Sequence, residues 1–139
     1  GQRKIDDETL EKVFKMANNI SGDIQQLCEV LWEVTSEREI IGMNKLKSAL
    51  ELIFSREQKS YENYISLLTA IQLKCLMAIA IEGGKKVFSV SFMKSAGFNN
   101  PSTVKRAITR LINLNILFES ENEYRFANPF FRAWLPHNG

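Results

Sequence analysis

Residues 69–139 are punctuated at short intervals, and the punctuation leaves room only for short elements in a fixed order. Thr69-x-x-Gln72 is a capping-box pattern, in which a hydroxyl and an amide three residues on satisfy the free N–H groups of a helix start. It opens the apolar run Ile71, Leu73, Leu76, Ile79 and Ala80 at helical spacing. Gly83-Gly84 ends that helix, and Val87-Phe88-Ser89 reads as a short extended piece. Ser89 or Ser91 can cap a short helix that closes at Gly97. Asn99-Asn100-Pro101-Ser102 is turn chemistry followed by a helix start, a proline and then a hydroxyl cap. The helix over residues 102–113 buries Val104, Ile108, Leu111 and Ile112. Two strand-like pieces follow, 116–119 and 123–126, joined by the turn Ser120-Glu121-Asn122. The aromatic run Pro129-Phe130-Phe131-Arg132-Ala133-Trp134-Leu135 reads as a short helix folded back to seal the core.

The resulting order is helix, short strand, helix, tight turn, helix, strand, turn, strand. That order describes a winged helix-turn-helix, a three-helix core with a small β-wing, over residues 69–139. Residues 1–68 read as a separate helical subdomain. Asp6 or Asp7 caps a helix with Leu10, Val13, Phe14, Ala17 and Ile20 on one stripe, and Asn18-Asn19 breaks it. Ser21 or Asp23 starts a second helix with Ile24, Leu27, Cys28, Leu31 and Trp32 inward. Gly42 and Asn44 mark the next boundary. Leu46, Ala49, Leu50, Ile53 and Phe54 then face inward, and Tyr61, Tyr64, Ile65 and Leu68 resume the pattern beyond the polar stretch 55–60. That stretch leaves two options, one bent helix or two.

Charge separates the halves. Residues 1–69 hold nine Lys/Arg against twelve Asp/Glu, a net of −3, whereas residues 70–139 hold nine against four, a net of +5. The halves therefore face different partners, or one half faces an acidic one. No apolar run approaches the roughly 20 residues that span a bilayer, and no signal-peptide pattern opens the chain. The opening Gly1-Gln2-Arg3-Lys4 lacks an initiator Met, so the chain reads as a piece of a longer protein. Cys28 and Cys75 each fall on an apolar helical face and read as buried, reduced thiols, which suits the cytoplasm. Two thiols and one histidine cannot furnish a four-ligand zinc site.

Catalytic patterns are not found. A phosphate-cradling loop needs GxxxxGK[ST], and the sequence has none. Gly83-Gly84-Lys85-Lys86 ends a helix where such a loop would open one. His137 lies three residues from the end, and no nucleophile has a histidine at hand. The chain is expected to be no enzyme by itself. The helix over 102–113 is the candidate functional element, with Ser102, Thr103, Lys105, Arg106, Thr109, Arg110 and Asn113 pointing outward. Hydroxyls near the helix start and cations along its face suit phosphate and base-edge contacts. Lys85, Lys86 and Lys94 extend the positive set. The competing reading is a solvated basic face on a helix that only packs. Glu119, Glu121 and Glu123 on the wing weigh against DNA, because a wing that lies along phosphates wants cations.

Three segments together carry a likeness. Ser21-Gly22-Asp23-Ile24-Gln25-Gln26-Leu27-Cys28-Glu29-Val30-Leu31-Trp32 is similar to a lid helix. Leu68-Thr69-Ala70-Ile71-Gln72 with Leu76-Met77-Ala78-Ile79-Ala80 looks like a winged-helix start. Asn128-Pro129-Phe130-Phe131-Arg132-Ala133-Trp134-Leu135 is similar to a closing Asp-Pro-Phe-Phe-x-x-Trp-Leu signature, with Asn128 where Asp is common. In these segments the chain resembles the C-terminal region of the prokaryotic AAA-plus/STAND-type ATPases often called archaeal-type. The resemblance implies a mainly α protein, with a helical lid-like subdomain followed by the winged helix. It implies a nucleotide-sensing turn at Gly22, Asp23 and Gln25, where Gln25 stands in the place of the arginine of origin-recognition relatives and the lid's Gly-x-Pro proline is missing. It also implies that ATP and magnesium belong to a domain upstream. The expected partners are that ATPase domain, double-stranded DNA or another protein, with no membrane.

Overall fold

The computed structural model describes residues 4–5, 7–16, 21–34 and 40–138. The chain forms two compact units, 1–59 and 60–139. The division falls inside a helix, at Lys59/Ser60.

In the first unit, α1 (Asp7–Met16) carries Asp7 and Glu8 in its first turn and Lys15 in its last, signs that complement the helix dipole. Val13 is fully buried and Leu10 half-buried. Asp6, Ala17, Asn18, Asn19 and Ile20, along with the side chains of Phe14 and Ser21, lie outside the described residues. α2 (Ser21–Glu33) buries Leu27, Val30 and Leu31. Trp32, expected inward, is 42% exposed. At 3.6 residues per turn it lies about 140° around the helix from Leu27, too far to share its face. The first unit also holds a strand pair that periodicity did not reveal: β1 (Lys4–Ile5) runs parallel to β2 (Ile40–Ile41). Two residues per strand are too few to show an alternation.

α3 (Met43–Ser66) is one helix, which settles the choice left by the polar stretch. Gly42 O accepts from Lys45 N and Leu46 N at its start, and Lys45 Nζ donates to Val34 O at 3.3 Å. Arg56, Glu57, Gln58 and Lys59 are good helix formers, so the polar stretch continues the helix. Ile53 and Tyr61, each about 1% exposed, flank it in sequence.

The second unit starts on that helix because Tyr61 and Tyr64 belong to its core. Their rings lie 5.4 and 5.1 Å from Phe131. α4 (Ala70–Glu82) is the hub, packing on α5 (Val90–Ala96), α6 (Pro101–Asn113) and α7 (Pro129–Asn138). The Thr69 capping box forms as expected: Thr69 Oγ1 accepts from Gln72 N at 3.2 Å, and Thr69 N donates to Gln72 Oε1 at 3.0 Å. Cys75, Leu76, Ala78, Ile79 and Ala80 are its buried residues. Ile71, expected inside, is 52% exposed: it stands in the first turn, ahead of the stretch that carries the buried side chains. Gly83 closes α4 at φ +91°, a backbone region open to glycine alone.

Val87 and Phe88 form a turn, in place of the expected extended piece. Ser89 N donates to Lys86 O at 3.1 Å, and Val87 is buried. Ser89, not Ser91, caps α5, and Gly97 in the left-handed region ends it. The wing is β3 (Leu117–Ser120) antiparallel to β4 (Glu123–Phe126), in the register Glu119↔Tyr124. Glu121 and Asn122, at φ +51° and +61°, make the two-residue turn with both central residues left-handed, which matches strand twist. Tyr124 N donates to Gly84 O at 2.9 Å, so the segment after α4 touches the wing at one rung. In α7, Phe130, Phe131, Trp134 and Leu135 are all buried, and Asn128 Oδ1 caps it by accepting from Phe130 N and Phe131 N at 3.0 and 3.2 Å. The fold is mainly α with a small antiparallel wing.

Candidate nucleic-acid interface

α6 begins at Asn100, whose Oδ1 accepts from Ser102 N at 2.8 Å. Pro101 occupies the first helical position, where a missing N–H does no harm. The cap is therefore Asn100 and not the Ser102 hydroxyl: proline's φ is already helical, so the helix starts one residue earlier than the hydroxyl suggests. Val104, Ala107, Ile108 and Leu111 face the core, with Ile112 only half-buried. That burial fixes the rotation of the helix. At 100° per residue it turns Ser102, Lys105, Arg106, Thr109, Arg110 and Asn113 onto one outer arc of about 140°.

All six of these are exposed, whereas Thr103 is half-buried at the edge. Ser102, Lys105, Arg106 and Thr109 together line a shallow concavity. Thr109 Oγ1 donates to Lys105 O at 2.9 Å, which leaves its oxygen lone pairs to accept from outside. Among the described residues, Lys105, Arg106 and Arg110 have no ion-pair partner. The helix contains no carboxylate. Its outer face is thus a cluster of uncompensated positive charge with two hydroxyls near it.

Lys85 and Lys86 are placed elsewhere. They line a second concavity with Glu82, Ser89, Ser91 and Glu123, between the end of α4, the start of α5 and the wing. Two carboxylates share that lining with the two lysines, and one of them, Glu123, is paired with Arg125. Lys94 is exposed in the last turn of α5. On the wing, Arg125 lies 3.4 Å from Glu123 and 3.9 Å from Glu121. The sequence marked the wing as acidic but gave no sign that its one arginine is held by its own glutamates. Burial and the nearby Glu119 charge both push the Tyr124 hydroxyl above its ordinary range.

Gly22, Asp23 and Gln25 share the first turns of α2. Burial raises the Asp23 carboxyl above the usual carboxylate range. Gln25 Nε2 donates to Glu29 Oε1 at 3.2 Å, so its amide is directed along its own helix toward a carboxylate. Cys75 is fully buried and its thiol is pushed up to about 11 by burial, and burial also raises the half-buried Cys28. Among the described residues no group of three His, Cys, Asp or Glu side chains is placed to hold a metal ion, and no helix is long and apolar enough to cross a membrane.

No curated protein and no solved structure gives a significant match to the chain. A family model described as a probable winged helix domain matches residues 59–137. Its start falls at the edge of the second compact unit, and its end falls within α7. Helix order, two-stranded wing and family match agree, and the chain belongs to this winged helix domain family.

Proposed function

We propose that the second unit binds duplex DNA through the outer face of α6. The observation that carries this reading is the unpaired cluster Lys105, Arg106 and Arg110, on a helix without a single carboxylate. Arg106 and Arg110 are one turn apart, and a guanidinium offers the planar fork that grips phosphate or a guanine edge. Ser102 and Thr109 add short hydroxyl contacts. The wing contributes little, because Arg125 is already engaged by Glu121 and Glu123. Binding therefore depends on one helix and is steeply salt-sensitive. In a fluorescence-anisotropy titration of a short duplex at several salt concentrations, Arg106→Ala with Arg110→Ala should weaken binding and lower the salt slope by about 2. No binding at low salt by the unmodified chain would rule the reading out.

The acidic wing, whose one arginine is already paired with Glu121 and Glu123, favours a second reading, contact with a protein. In that reading the winged helix controls the ATPase domain that the resemblance places upstream, with the first unit as its lid. Binding of a purified ATPase domain that survives the double arginine substitution but fails on reversal of Glu121 and Glu123 would support it.

A further inference from the structure

α4 is apolar around nearly its whole circumference. In Ala70–Glu82 the charged residues are Lys74 and Glu82 alone. A helix of this kind is normally enclosed on all sides. Here one side is not: Ile81 is 61% exposed, and an open groove between α4 and α5 is lined by Ala70, Leu73, Lys74, Met77, Ala78, Ile81 and Glu82 from α4. These positions recur at three- and four-residue intervals along the full helix, a stripe about 18 Å long at 1.5 Å per residue. The shape suits another helix.

The charges identify which helix. Lys74 and Glu82 are placed symmetrically, four residues either side of Ala78. Two copies of α4 packed antiparallel about a two-fold axis at Ala78 bring Lys74 of each against the partner's Glu82. Both charges of the stripe are then paired twice over. Ala78 lines the groove while itself only 9% exposed, its small side chain lets the backbones approach closely, and Met77 and Ile81 pack together along one side of it. Such self-complementarity is what an isologous contact requires. We propose that the chain forms a two-fold dimer in which α4 packs on its own copy along this groove. Lys74 Nζ donates to Gly97 O at 3.1 Å and lies over the Phe98 ring, which holds its ammonium at the groove edge. The α6 concavity shares no residue with the groove.

Sedimentation velocity of the full chain, from low to high micromolar concentration, tests this. The unmodified chain should move from monomer to dimer. Lys74→Glu alone and Glu82→Lys alone should each weaken the dimer by about tenfold or more, since each reversal acts at both symmetric contacts. The two single variants mixed in equal amounts should form a heterodimer. In that pairing the two substituted side chains face each other with opposite charge at one contact, and the native Lys74 and Glu82 pair at the other. Ile81→Arg, at an exposed site, should abolish association while circular dichroism stays unchanged. A chain that remains monomeric throughout overturns the proposal. So does a dimer that ignores all three substitutions, or a mixture of the two charge variants that stays monomeric.

Discussion

Replacing Phe131 by leucine, side by side with Phe130→Leu, isolates what ring-to-ring contact adds to the closing helix. Both phenylalanines are about 1% exposed. Leucine keeps most of the apolar volume at each site, so the shared loss of buried surface cancels in the comparison. What does not cancel is the company each ring keeps. Phe131 has four aromatic neighbours: Tyr64 at 5.1 Å, Tyr61 at 5.4 Å, Trp134 at 6.0 Å and Phe126 at 6.1 Å. Phe130 has none among the described residues. Pairs at such distances contribute roughly 0.5–1.5 kcal/mol each beyond area. Neighbouring pairs share rings and do not add fully, so the lower end of the sum, about 2 kcal/mol, is the expected excess for Phe131→Leu. In a unit of this size that corresponds to roughly 8–16 °C in Tm. Urea denaturation followed by circular dichroism reads it directly, as a lower midpoint at unchanged slope. Equal losses at the two positions would refute the reasoning and reduce the cluster to plain apolar burial.

Other outcomes are as specific. A Cβ at Gly84 collides with Tyr124 O and lies 2.8 and 3.1 Å from Tyr124 C and Cα; Gly84→Ala should cost about 2–4 kcal/mol, from overpacking and a lost rung, and hydrogen exchange at the Tyr124 amide should quicken. Asn128→Ala removes the α7 cap and should cost about 1 kcal/mol, whereas Asn128→Asp should be near neutral at pH 7, by thermal melts. Cys75 should resist maleimide labelling in the folded chain and react in urea, while Cys28 labels first. Because the folded Cys75 thiol ionises near 11 against an ordinary 9.0, its contribution is fully present below pH 9 and fades as pH rises toward 11. Cys75→Ala should flatten that alkaline loss in urea titrations.

The sequence was legible at several places where a local rule decided the outcome, though not at the α6 cap, where Asn100 acts in place of Ser102. Thr69 and Gln72 announced a capping box, Gly97 a helix end, and Ser120-Glu121-Asn122 a short hairpin turn, of which Ser120 belongs to β3, because each satisfies backbone groups within a few residues. The outer arc of α6 was readable for the same reason, since Val104, Ile108 and Leu111 fix its rotation. Misreadings arose where tertiary contact chose between local options. Val87-Phe88 looks strand-like, but the Lys86–Ser89 hydrogen bond and burial of Val87 fold it into a turn. Ile71 and Trp32 are apolar, yet hydrophobicity does not say which part of a helix meets its neighbours. The division into compact units inside α3 has no mark in the sequence, because it depends on Tyr61 and Tyr64 finding Phe131 from about seventy residues away along the chain. The same holds for the wing: its acidity was plain, but the capture of Arg125 by Glu121 and Glu123 needs the hairpin register.

The rung between Tyr124 and Gly84 has a consequence for solubility. A two-stranded ribbon presents open edges, and an open edge is a template on which neighbouring chains can add strands and aggregate. Here Gly84 O occupies the Tyr124 N–H on the outer side of β4, and the glutamates at 119, 121 and 123 place like charge beside any incoming copy. The wing is thereby guarded against stacking by its own sequence, and the acidity that makes it a poor follower of phosphates keeps it from recruiting its own kind.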